Sequence, residues 1–300
     1  MDVIQKTIRQ IKALKIQGAT AVARACLLSL KKDVAAGGSG NLVSLRGKIE
    51  LLSLARPTEP MARNCLAYLL WKTEKLGSLG NLGTLEEIID NFLRKIKENE
   101  ERIIENGKSL VKIGDHVLTH CHSETVVSLL KAAHKKVDFE VFLTETRPLF
   151  QGRKTAKELI SVGIKTTMVV DSAAPYLISK EDEVPINLVI LGVDAIFPNG
   201  SCLNKVGSYA IGLAADEAGV PLYLAATILK MTNRPLEVEK RGAKEIWEDK
   251  PKNLRILNLA FDFIPAEFIN GFITEFGILE PKDIIRAAKK YYPFIFYESV

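Results

Sequence analysis

The chain has 300 residues, of which 47% are hydrophobic and 26% charged, ordinary values for a globular protein. This length suits one large or two medium domains, whose core is large enough to need no disulfide or metal staples. The formal net charge of +5 is a small excess over 36 acidic residues, which suits an anionic small ligand. No basic block with interleaved aromatic residues is present, so we expect no nucleic-acid partner.

The cysteines and the N-terminal residues indicate the expected cellular location. The four cysteines form no close pair of the metal-site type, which favours a reduced, intracellular setting. The first six residues lack the apolar core of a signal peptide, and no run reaches the ~20 apolar residues that span a bilayer. We therefore expect a cytoplasmic protein without membrane contact.

Residues 1–107 are predicted to form an N-terminal helical domain. Apolar residues recur at helical spacing from Ile4 to Leu14, and Gly18 interrupts this pattern. Pro57 and Pro60 end a later helix, because proline lacks a backbone donor and restricts the residue before it. A long, highly charged helix is predicted over 85–106, with one face in solvent or on a partner.

From about residue 108 the pattern changes to alternating strands and helices, which indicates a parallel sheet. The predicted strands are 116–120, 140–144, 167–170, 188–191 and 222–225. The predicted intervening helices are 124–136, 155–161, 173–178 and 206–218. The fold class is therefore α/β: a helical domain, then a Rossmann-like, mostly parallel sheet domain over 108–300 with helices on both faces. This second domain is expected to carry most of the active site, because loops at the carboxyl ends of parallel strands converge.

The loop after the first predicted strand, within 117–125 (VLTHCHSET), contains Cys121. A free cysteine is most often a small buried hydrophobe, the interpretation we apply to Cys26 and Cys65. Cys121 differs, because it precedes a predicted helix N-terminus, which lowers a thiol pKa, and charged His120 and His122 would lower it further. We favour a working residue at Cys121.

Two aspartates follow later strands. Asp194 is either a turn cap or a general acid whose pKa is raised by burial, and the sequence weighs these two equally. Asp171, with a serine after it, favours a cap. The two histidines beside Cys121 have no carboxylate pair at a suitable spacing, so we predict no metal site.

Three basic residues have a similar ambiguity. A lone cation is usually part of a surface ion pair, but Lys205 and Arg147 lie beside predicted helix N-termini, where phosphate is favoured. Arg56 lies beside prolines in an apolar segment, which is unusual for a surface residue. None of these loops has a Walker or dinucleotide fingerprint.

Several short stretches resemble the family of translation initiation factor 2B alpha, beta and delta subunits and sugar-phosphate isomerases. They are 55–58 (ARPT), 118–121 (LTHC), 144–148 (TETRP), 152–159 (GRKTAKEL), 170–174 (VDSAA), 192–195 (GVDA), 199–207 (NGSCLNKVG) and 261–262 (FD). The resemblance covers nearly the whole chain. Within the family, the archaeal ribose 1,5-bisphosphate isomerases are the branch that it is most similar to.

The resemblance implies an enzyme, an intramolecular oxidoreductase that converts α-D-ribose 1,5-bisphosphate to D-ribulose 1,5-bisphosphate. The product would feed a RuBisCO in AMP salvage. Cys121 would be the proton acceptor, acting as a thiolate, and Asp194 the proton donor. The expected substrate-binding residues are Gln17, Gly18, Ala19, Thr20, Arg56, Ser123, Glu124, Thr125, Arg147, Asn204, Lys205 and Lys230. No cofactor is expected, and the family commonly assembles as homo-oligomers through its sheet domain.

The chain departs from the isomerase pattern in two places. Gln17-Gly18-Ala19-Thr20 stands where the isomerases usually have Arg-Gly-Ala-Gly, so a phosphate-facing arginine is absent. His122-Ser123-Glu124 stands where they often have Asn-Ser-Lys, and a carboxylate near a bisphosphate is unfavourable. Two alternatives therefore stand beside the first hypothesis. One is a non-catalytic initiation factor 2B alpha-like subunit that binds a nucleotide or sugar phosphate and contacts initiation factor 2. The other is a methylthioribose-1-phosphate isomerase.

Overall fold

The structure is a computed structural model that describes residues 2–38, 41–75, 82–179, 186–236 and 238–297. The chain forms two compact units. Unit 1 comprises 1–99, 228–236 and 285–300, and unit 2 comprises 100–227 and 237–284. Each unit therefore takes segments from separate parts of the sequence.

The helices are α1 (Val3–Lys12), α2 (Ala19–Ala35), α3 (Leu42–Ser53), α4 (Pro60–Lys75), α5 (Leu82–Gly107), α6 (Glu124–His134), α7 (Gln151–Ile160), α8 (Ala174–Ile178), α9 (Ser208–Ala218) and α10 (Ile284–Tyr291). The strands are β1 (His116–Thr119), β2 (Glu140–Thr144), β3 (Lys165–Val169), β4 (Leu188–Leu191), β5 (Ala195–Ile196), β6 (Cys202–Lys205), β7 (Leu222–Ala225), β8 (Lys240–Arg241), β9 (Asn258–Leu259), β10 (Phe261–Ile264), β11 (Gly271–Thr274) and β12 (Gly277–Leu279). Single 3-10 turns lie at Asp171–Ala173, Ile228–Lys230 and Pro293–Phe296.

Unit 1 is a helical bundle. Helix α1 begins at Asp2, whose carboxylate accepts from the Ile4 N–H at 3.1 Å, and it buries an isoleucine at each turn of one face. Helix α2 packs on α1 and α4, and α3 packs on α4. Cys26 on α2 and Cys65 on α4 are fully buried, as expected of structural cysteines. Helical spacing of apolar residues thus accounts for the helices of residues 1–99, whereas the later segments of this unit were assigned to the sheet domain.

An aromatic cluster closes one end of this bundle. Phe294, in the turn after α10, contacts the rings of Tyr68, Trp71, Phe92 and Tyr292, with centroids 5.1 to 6.1 Å apart. Tyr68 and Phe92 stack at 4.1 Å. Packed aromatic rings contribute both buried area and favourable edge or offset contacts. The C-terminal segment is therefore part of the core of unit 1.

Unit 2 is built on a seven-stranded sheet in the order β12-β11-β7-β4-β1-β2-β3. All neighbouring pairs are parallel except β11 with β12. The chain moves from β1 through β2 to β3, returns to β4, and moves on to β7. Right-handed crossovers in these opposite directions place α6 and α7 on one face and α8 and α9 on the other. The predicted fold class is confirmed.

Three of the five predicted strands have the predicted ends, and the other two differ by one or two residues. The short strands β5, β6 and β8 to β12 were not predicted. Because residues 202–205 form β6, which pairs with β5 and β10, Asn204 and Lys205 lie on a strand. The predicted helix 206–218 begins two residues later than expected, at Ser208, so Lys205 ends a strand and does not directly precede the helix.

We expect Phe294→Ala to destabilise unit 1 by about 3–5 kcal/mol, the range for removing a buried aromatic side chain. Chemical denaturation followed by circular dichroism measures this loss. Tyr291→Ala is the matched control, because Tyr291 is exposed in the preceding helix turn and should change stability by under about 1 kcal/mol. Equal losses in the two variants would contradict the assignment of Phe294 to the core.

Candidate active site

The first feature of the site is its place in the sheet. Strands β1 and β4 are neighbours, but the chain leaves them in opposite directions, so the point between their carboxyl ends is a topological switch point. Cys121 follows β1 by two residues, and Asp194 follows β4 by three. Gly192 lies so close to Ser123 that an added Cβ would be 2.8 Å from the serine Cβ. The two loops therefore meet at the position where this fold class binds its ligands.

Cys121 has a left-handed backbone conformation, with φ of 67°, which a non-glycine residue adopts only where its surroundings hold it. Its backbone N–H donates to Thr146 Oγ1 at 3.0 Å. Its carbonyl accepts from Thr155 Oγ1 at 2.8 Å. Both polar backbone groups of Cys121 are thus fixed by threonine hydroxyls, one from the loop after β2 and one from α7.

His120 extends this network. Its Nε2 lies 2.9 Å from the Val206 carbonyl, which only accepts, so Nε2 carries the proton. Its Nδ1 then accepts from Thr144 Oγ1 at 2.6 Å. Burial lowers the pKa of His120 to about 4, against the smaller opposing effect of the Asp171 charge. The condition under which His120 would lower the thiol pKa is therefore not met, because the buried ring is neutral at neutral pH.

His122 is also unsuited to that role. Thr155 Oγ1 gives its proton to Cys121, so it accepts from His122 Nδ1 at 3.0 Å. Burial, followed by the charge of Lys154, lowers the pKa of His122. Its Nε2 lies 3.9 Å from Glu158, which is paired with Lys131 at 2.9 Å. The neutral ring supports the Cys121 loop through Thr155.

The thiol of Cys121 is protonated at neutral pH. Burial raises its pKa to about 11, although the Lys205 ammonium and the His122 backbone N–H act to lower it. The negative charges of Asp194 and Asp171 raise it further. The prediction of a lowered pKa next to a helix N-terminus is wrong, because desolvation outweighs the helix and the lysine. Lys205 and Asp194 nevertheless act directly on this thiol.

Strand β6 positions the lysine. Lys205 is nearly buried, and its Nζ lies 4.9 Å from the centroid of the Phe261 ring on the neighbouring strand β10. The adjacent Asn204 is buried and donates to Ser208 Oγ at 2.8 Å. The half-buried Asp194 is held next to β6, since its backbone N–H donates to the Leu203 carbonyl at 2.9 Å. Asp194 and Lys205, whose charges both act on the Cys121 thiol, are therefore held on adjoining segments, and Asn204 fixes the start of α9.

The remaining predicted residues of unit 2 lie at the start of α6 and after β2. Ser123 is the N-cap of α6, with its hydroxyl accepting from the Val126 N–H at 3.4 Å. Glu124 is exposed in the first turn, and Thr125 is partly exposed. Arg147 is exposed, and its Nη2 donates to the Ile246 carbonyl at 3.2 Å. In this first turn of α6, the Glu124 carboxylate interacts favourably with the positive end of the helix dipole.

Asp171 does not cap its own turn, contrary to the prediction. Its carboxylate accepts from the backbone N–H groups of Thr146 and Arg147, at 2.8 and 2.7 Å. It thereby holds the loop after β2, from which Thr146 binds Cys121. The sequence analysis did not identify the roles of Thr144, Thr146 and Thr155 in holding the Cys121 loop. Their positions at or near strand ends could have indicated these roles.

In unit 1, four predicted residues lie at the beginning of α2. Gly18 is its N-cap and offers no side-chain acceptor, so the first N–H groups of the helix can receive an anion. Gln17 is exposed, with its amide donating to the Leu14 carbonyl, and Ala19 is buried. Thr20 Oγ1 lies 3.8 Å from Met61 Sδ, so α2 and α4 begin side by side.

Arg56 and Lys230 lie near the same part of α4. Arg56 precedes the helix and pairs with Glu59 at 2.9 Å. Lys230 lies in a 3-10 turn whose backbone is held by Asn64 of α4, which donates to the Leu229 and Met231 carbonyls at 2.7 and 2.6 Å. Asn64 is a residue that the sequence analysis missed. Unit 1 therefore brings its predicted substrate-binding residues towards the first turns of α4.

Over the described parts of the chain, no group of three or more His, Cys, Asp or Glu side chains is arranged to hold a metal ion. Within the same residues, no helix combines the length and apolar character that a membrane crossing requires.

A cysteine and an aspartate at the switch point of a Rossmann-like sheet, with a nearly buried lysine whose charge acts on the thiol, are typical of enzymes that act on small anionic molecules. The sequence matches the Initiation factor 2 subunit family over residues 15–281, and the chain belongs to this family. The family membership expected from the sequence motifs is confirmed.

Three relatives illustrate the family. The ribose 1,5-bisphosphate isomerase of Methanocaldococcus jannaschii is 36% identical over 304 residues, covering 97% of this chain and 96% of that protein. The methylthioribose-1-phosphate isomerase of Trichoplax adhaerens is 31% identical, covering 91% of this chain and 85% of that protein. The crystal structure of a Pyrococcus horikoshii translation initiation factor eIF-2B has a TM-score of 0.82 and 26% identity, covering 94% and 98% of the two chains. Relatives named as sugar-phosphate isomerases confirm the prediction of an isomerase-type enzyme.

We expect Cys121 to react slowly with iodoacetamide at neutral pH, because only a thiolate is alkylated and the thiol pKa is about 11. Peptide mapping by mass spectrometry reads the rate at this cysteine, while the buried Cys26, Cys65 and Cys202 are internal controls. Below the pKa, the rate should rise about tenfold per pH unit. A plateau reached below about pH 9 would contradict the raised pKa.

The buried His120 should make the fold sensitive to acid. Its pKa falls from 6.5 to about 4 on folding, so between these values the unfolded chain binds more protons and stability is lost as the pH falls. Relative to His120→Gln, the wild type should lose up to about 3 kcal/mol across this window. Urea denaturation at several pH values measures the difference, and parallel stability curves for the two proteins would contradict it.

Proposed function

We propose that the protein is an aldose–ketose isomerase that converts α-D-ribose 1,5-bisphosphate to D-ribulose 1,5-bisphosphate, with Cys121 and Asp194 as its proton-transfer groups. The observation that carries the proposal is that the loops bearing Cys121 and Asp194 meet at the switch point of the sheet, where the charges of Asp194 and Lys205 act on the thiol. The proposal is further supported by the name of the M. jannaschii relative, which aligns over nearly the whole chain.

The two acidic groups are electrostatically coupled. The Asp194 carboxylate raises the pKa of the Cys121 thiol, so a proton on Asp194 makes the thiolate easier to form. Moving one proton from Cys121 to Asp194 creates an acid and a base without changing the net charge of the pair. Lys205 favours the thiolate form, since its ammonium lowers the thiol pKa. The site therefore holds one acid and one base in either arrangement.

The proposed reaction follows from this pair. Protonated Asp194 gives its proton to the ring oxygen as the bond from C1 to that oxygen breaks. The Cys121 thiolate takes the proton from C2, which leaves an enol between C1 and C2. The Asp194 carboxylate then takes the proton of the C2 hydroxyl while the Cys121 thiol gives a proton to C1, so that C2 becomes the carbonyl carbon and both groups return to their starting forms. The isomerisation moves protons and electron pairs within the substrate, and its atoms and electrons balance without an external oxidant.

The phosphate-binding part of the proposal is supported within each unit separately. In unit 2, Lys205 is a nearly buried cation beside the thiol. In unit 1, the N-terminus of α2 offers backbone donors from a glycine N-cap, which can replace the missing arginine at Gln17. The exposed position of Glu124 keeps its carboxylate in solvent, where its repulsion of a phosphate is weakened. The proposal includes the assembly of several copies of the chain into a homo-oligomer.

We expect Cys121→Ser and Asp194→Asn each to lower kcat by at least about 100-fold, the scale of losing a positioned acid or base. Turnover is measured by following ribulose 1,5-bisphosphate formation, and folding by circular dichroism. Cys202→Ser is the matched control, because Cys202 is buried beside Gly200 and has no assigned part in the chemistry. Near-wild-type kcat in either site variant would overturn the assignment.

The same assay separates the competing functions. Methylthioribose 1-phosphate is offered as a second substrate, because the T. adhaerens relative carries that name. Faster turnover of this monophosphate would favour the second isomerase activity. Binding of sugar phosphate without turnover of either compound would favour a regulatory subunit, a possibility kept by the likeness to the P. horikoshii factor.

A further inference from the structure

The loop that joins β6 to α9 is clamped from two sides. On one side, His120 Nε2–H donates to the Val206 carbonyl at 2.9 Å. On the other side, the Gly207 N–H donates to Asp262 Oδ2 at 2.6 Å. Gly207 has φ of +108°, and an added Cβ would lie 3.2 Å from the His120 ring. This loop immediately follows Lys205, so the clamp acts next to the cation of the site.

Asp262 also belongs to the strand that lies against Lys205. Strand β10 pairs antiparallel with β6, which places Asp262 opposite Asn204 and Phe261 opposite Lys205. The Phe261 ring contacts the lysine ammonium, with Nζ 4.9 Å from the ring centroid. Strand β10 thus supplies both the ring that contacts Lys205 and the carboxylate that holds the turn after β6.

We propose that Asp262 is a positioning residue: by accepting from the Gly207 N–H it fixes the turn after β6 and holds the Lys205 ammonium beside the Cys121 thiol. The inference rests on the proposed function only in treating Lys205 and Cys121 as working residues. Asp262 itself acts through the backbone of Gly207. It is neither a proton donor nor a substrate ligand.

The chemistry of Asp262 fits this role. Burial raises its pKa to about 6, against backbone N–H groups at the start of α9 that act to lower it. The group is therefore ionised above neutral pH, where a carboxylate is a strong acceptor for backbone N–H groups. It also occupies the N-terminus of α9, so a substrate phosphate has no place there. The anion at the N-terminus of α9 is therefore the Asp262 carboxylate.

The thiol of Cys121 provides a readout that needs no substrate. Lys205 lowers the thiol pKa, so a lysine that moves away raises this pKa and slows alkylation. If Asp262 instead acted on the thiol only through its negative charge, removing that charge would lower the thiol pKa and speed alkylation. The positioning role and the direct field effect thus predict changes of opposite sign.

The experiment compares iodoacetamide alkylation rates of Cys121 at about pH 9, well below the thiol pKa, in the full-length protein. We expect Lys205→Met to slow the reaction roughly tenfold, the effect of about one pKa unit. Asp262→Ala should slow it in the same direction, and Asp262→Asn less, because the amide oxygen can still accept from Gly207. In the Lys205→Met background, Asp262→Ala should have no further effect.

Asp115→Ala is the matched control, since Asp115 accepts from the Lys112 N–H at 2.7 Å before β1, at the other end of that strand. Its alkylation rate should equal that of the wild type. Circular dichroism verifies folding, and if Asp262→Ala does not fold, Asp262→Asn carries the test. An unchanged or faster rate in folded Asp262→Ala overturns the proposal, as does a rate in Asp262→Asn that is unchanged or faster where only that variant folds. So does an unchanged rate in Lys205→Met, or an Asp262→Ala effect that persists in full without the lysine. Because no substrate is present, these outcomes are independent of isomerase activity.

Discussion

The site depends on the two threonine hydroxyls that fix the backbone of Cys121. Thr146 accepts from its N–H, and Thr155 donates to its carbonyl, so a left-handed conformation is held from two sides. Thr146 is itself held by Asp171, and Thr155 is bound by His122. The ends of three adjacent strands are thereby joined through short side chains. A partly buried polar network of this kind restrains the loop, because each lost hydrogen bond leaves an unsatisfied group.

In this site, the electrostatics favour one negative charge on the Cys121–Asp194 pair over two. Burial disfavours the thiolate, Asp194 disfavours it further, and Lys205 opposes both. Such a balance keeps the ligand-free enzyme in an unreactive thiol form. A thiolate exposed at all times would be open to oxidation and alkylation, whereas a thiol that ionises only with a proton on its neighbour is protected.

The periodicity of apolar residues predicted the helices of residues 1–99 and five of the six mutually parallel strands, since these elements bury regular patterns. It did not predict β5, β6 and β10, whose two to four residues owe their conformation to pairing with distant segments. The motifs pointed to Cys121, Asp194, Asn204 and Lys205, and in the structure the charges of Asp194 and Lys205 act on the Cys121 thiol. The direction of the thiol pKa was predicted wrongly, because burial depends on packing that a sequence does not display. The roles of Asn64, Thr155 and Asp262 likewise depend on hydrogen bonds between residues far apart in the chain.

The discontinuity of unit 1 has a consequence for the order of events during synthesis. Its core includes Phe294, and Lys230 is anchored to α4 by Asn64, yet these residues are made long after the first helices. The helices of residues 1–99 leave the ribosome without the aromatic ring that completes their packing. By contrast, the β1 to β4 part of the sheet, with Cys121 and Asp194, is contiguous in sequence. The proposed proton-transfer groups therefore lie in one continuous part of the chain, whereas the helical unit is completed only after its segment from residue 285 onward has been made.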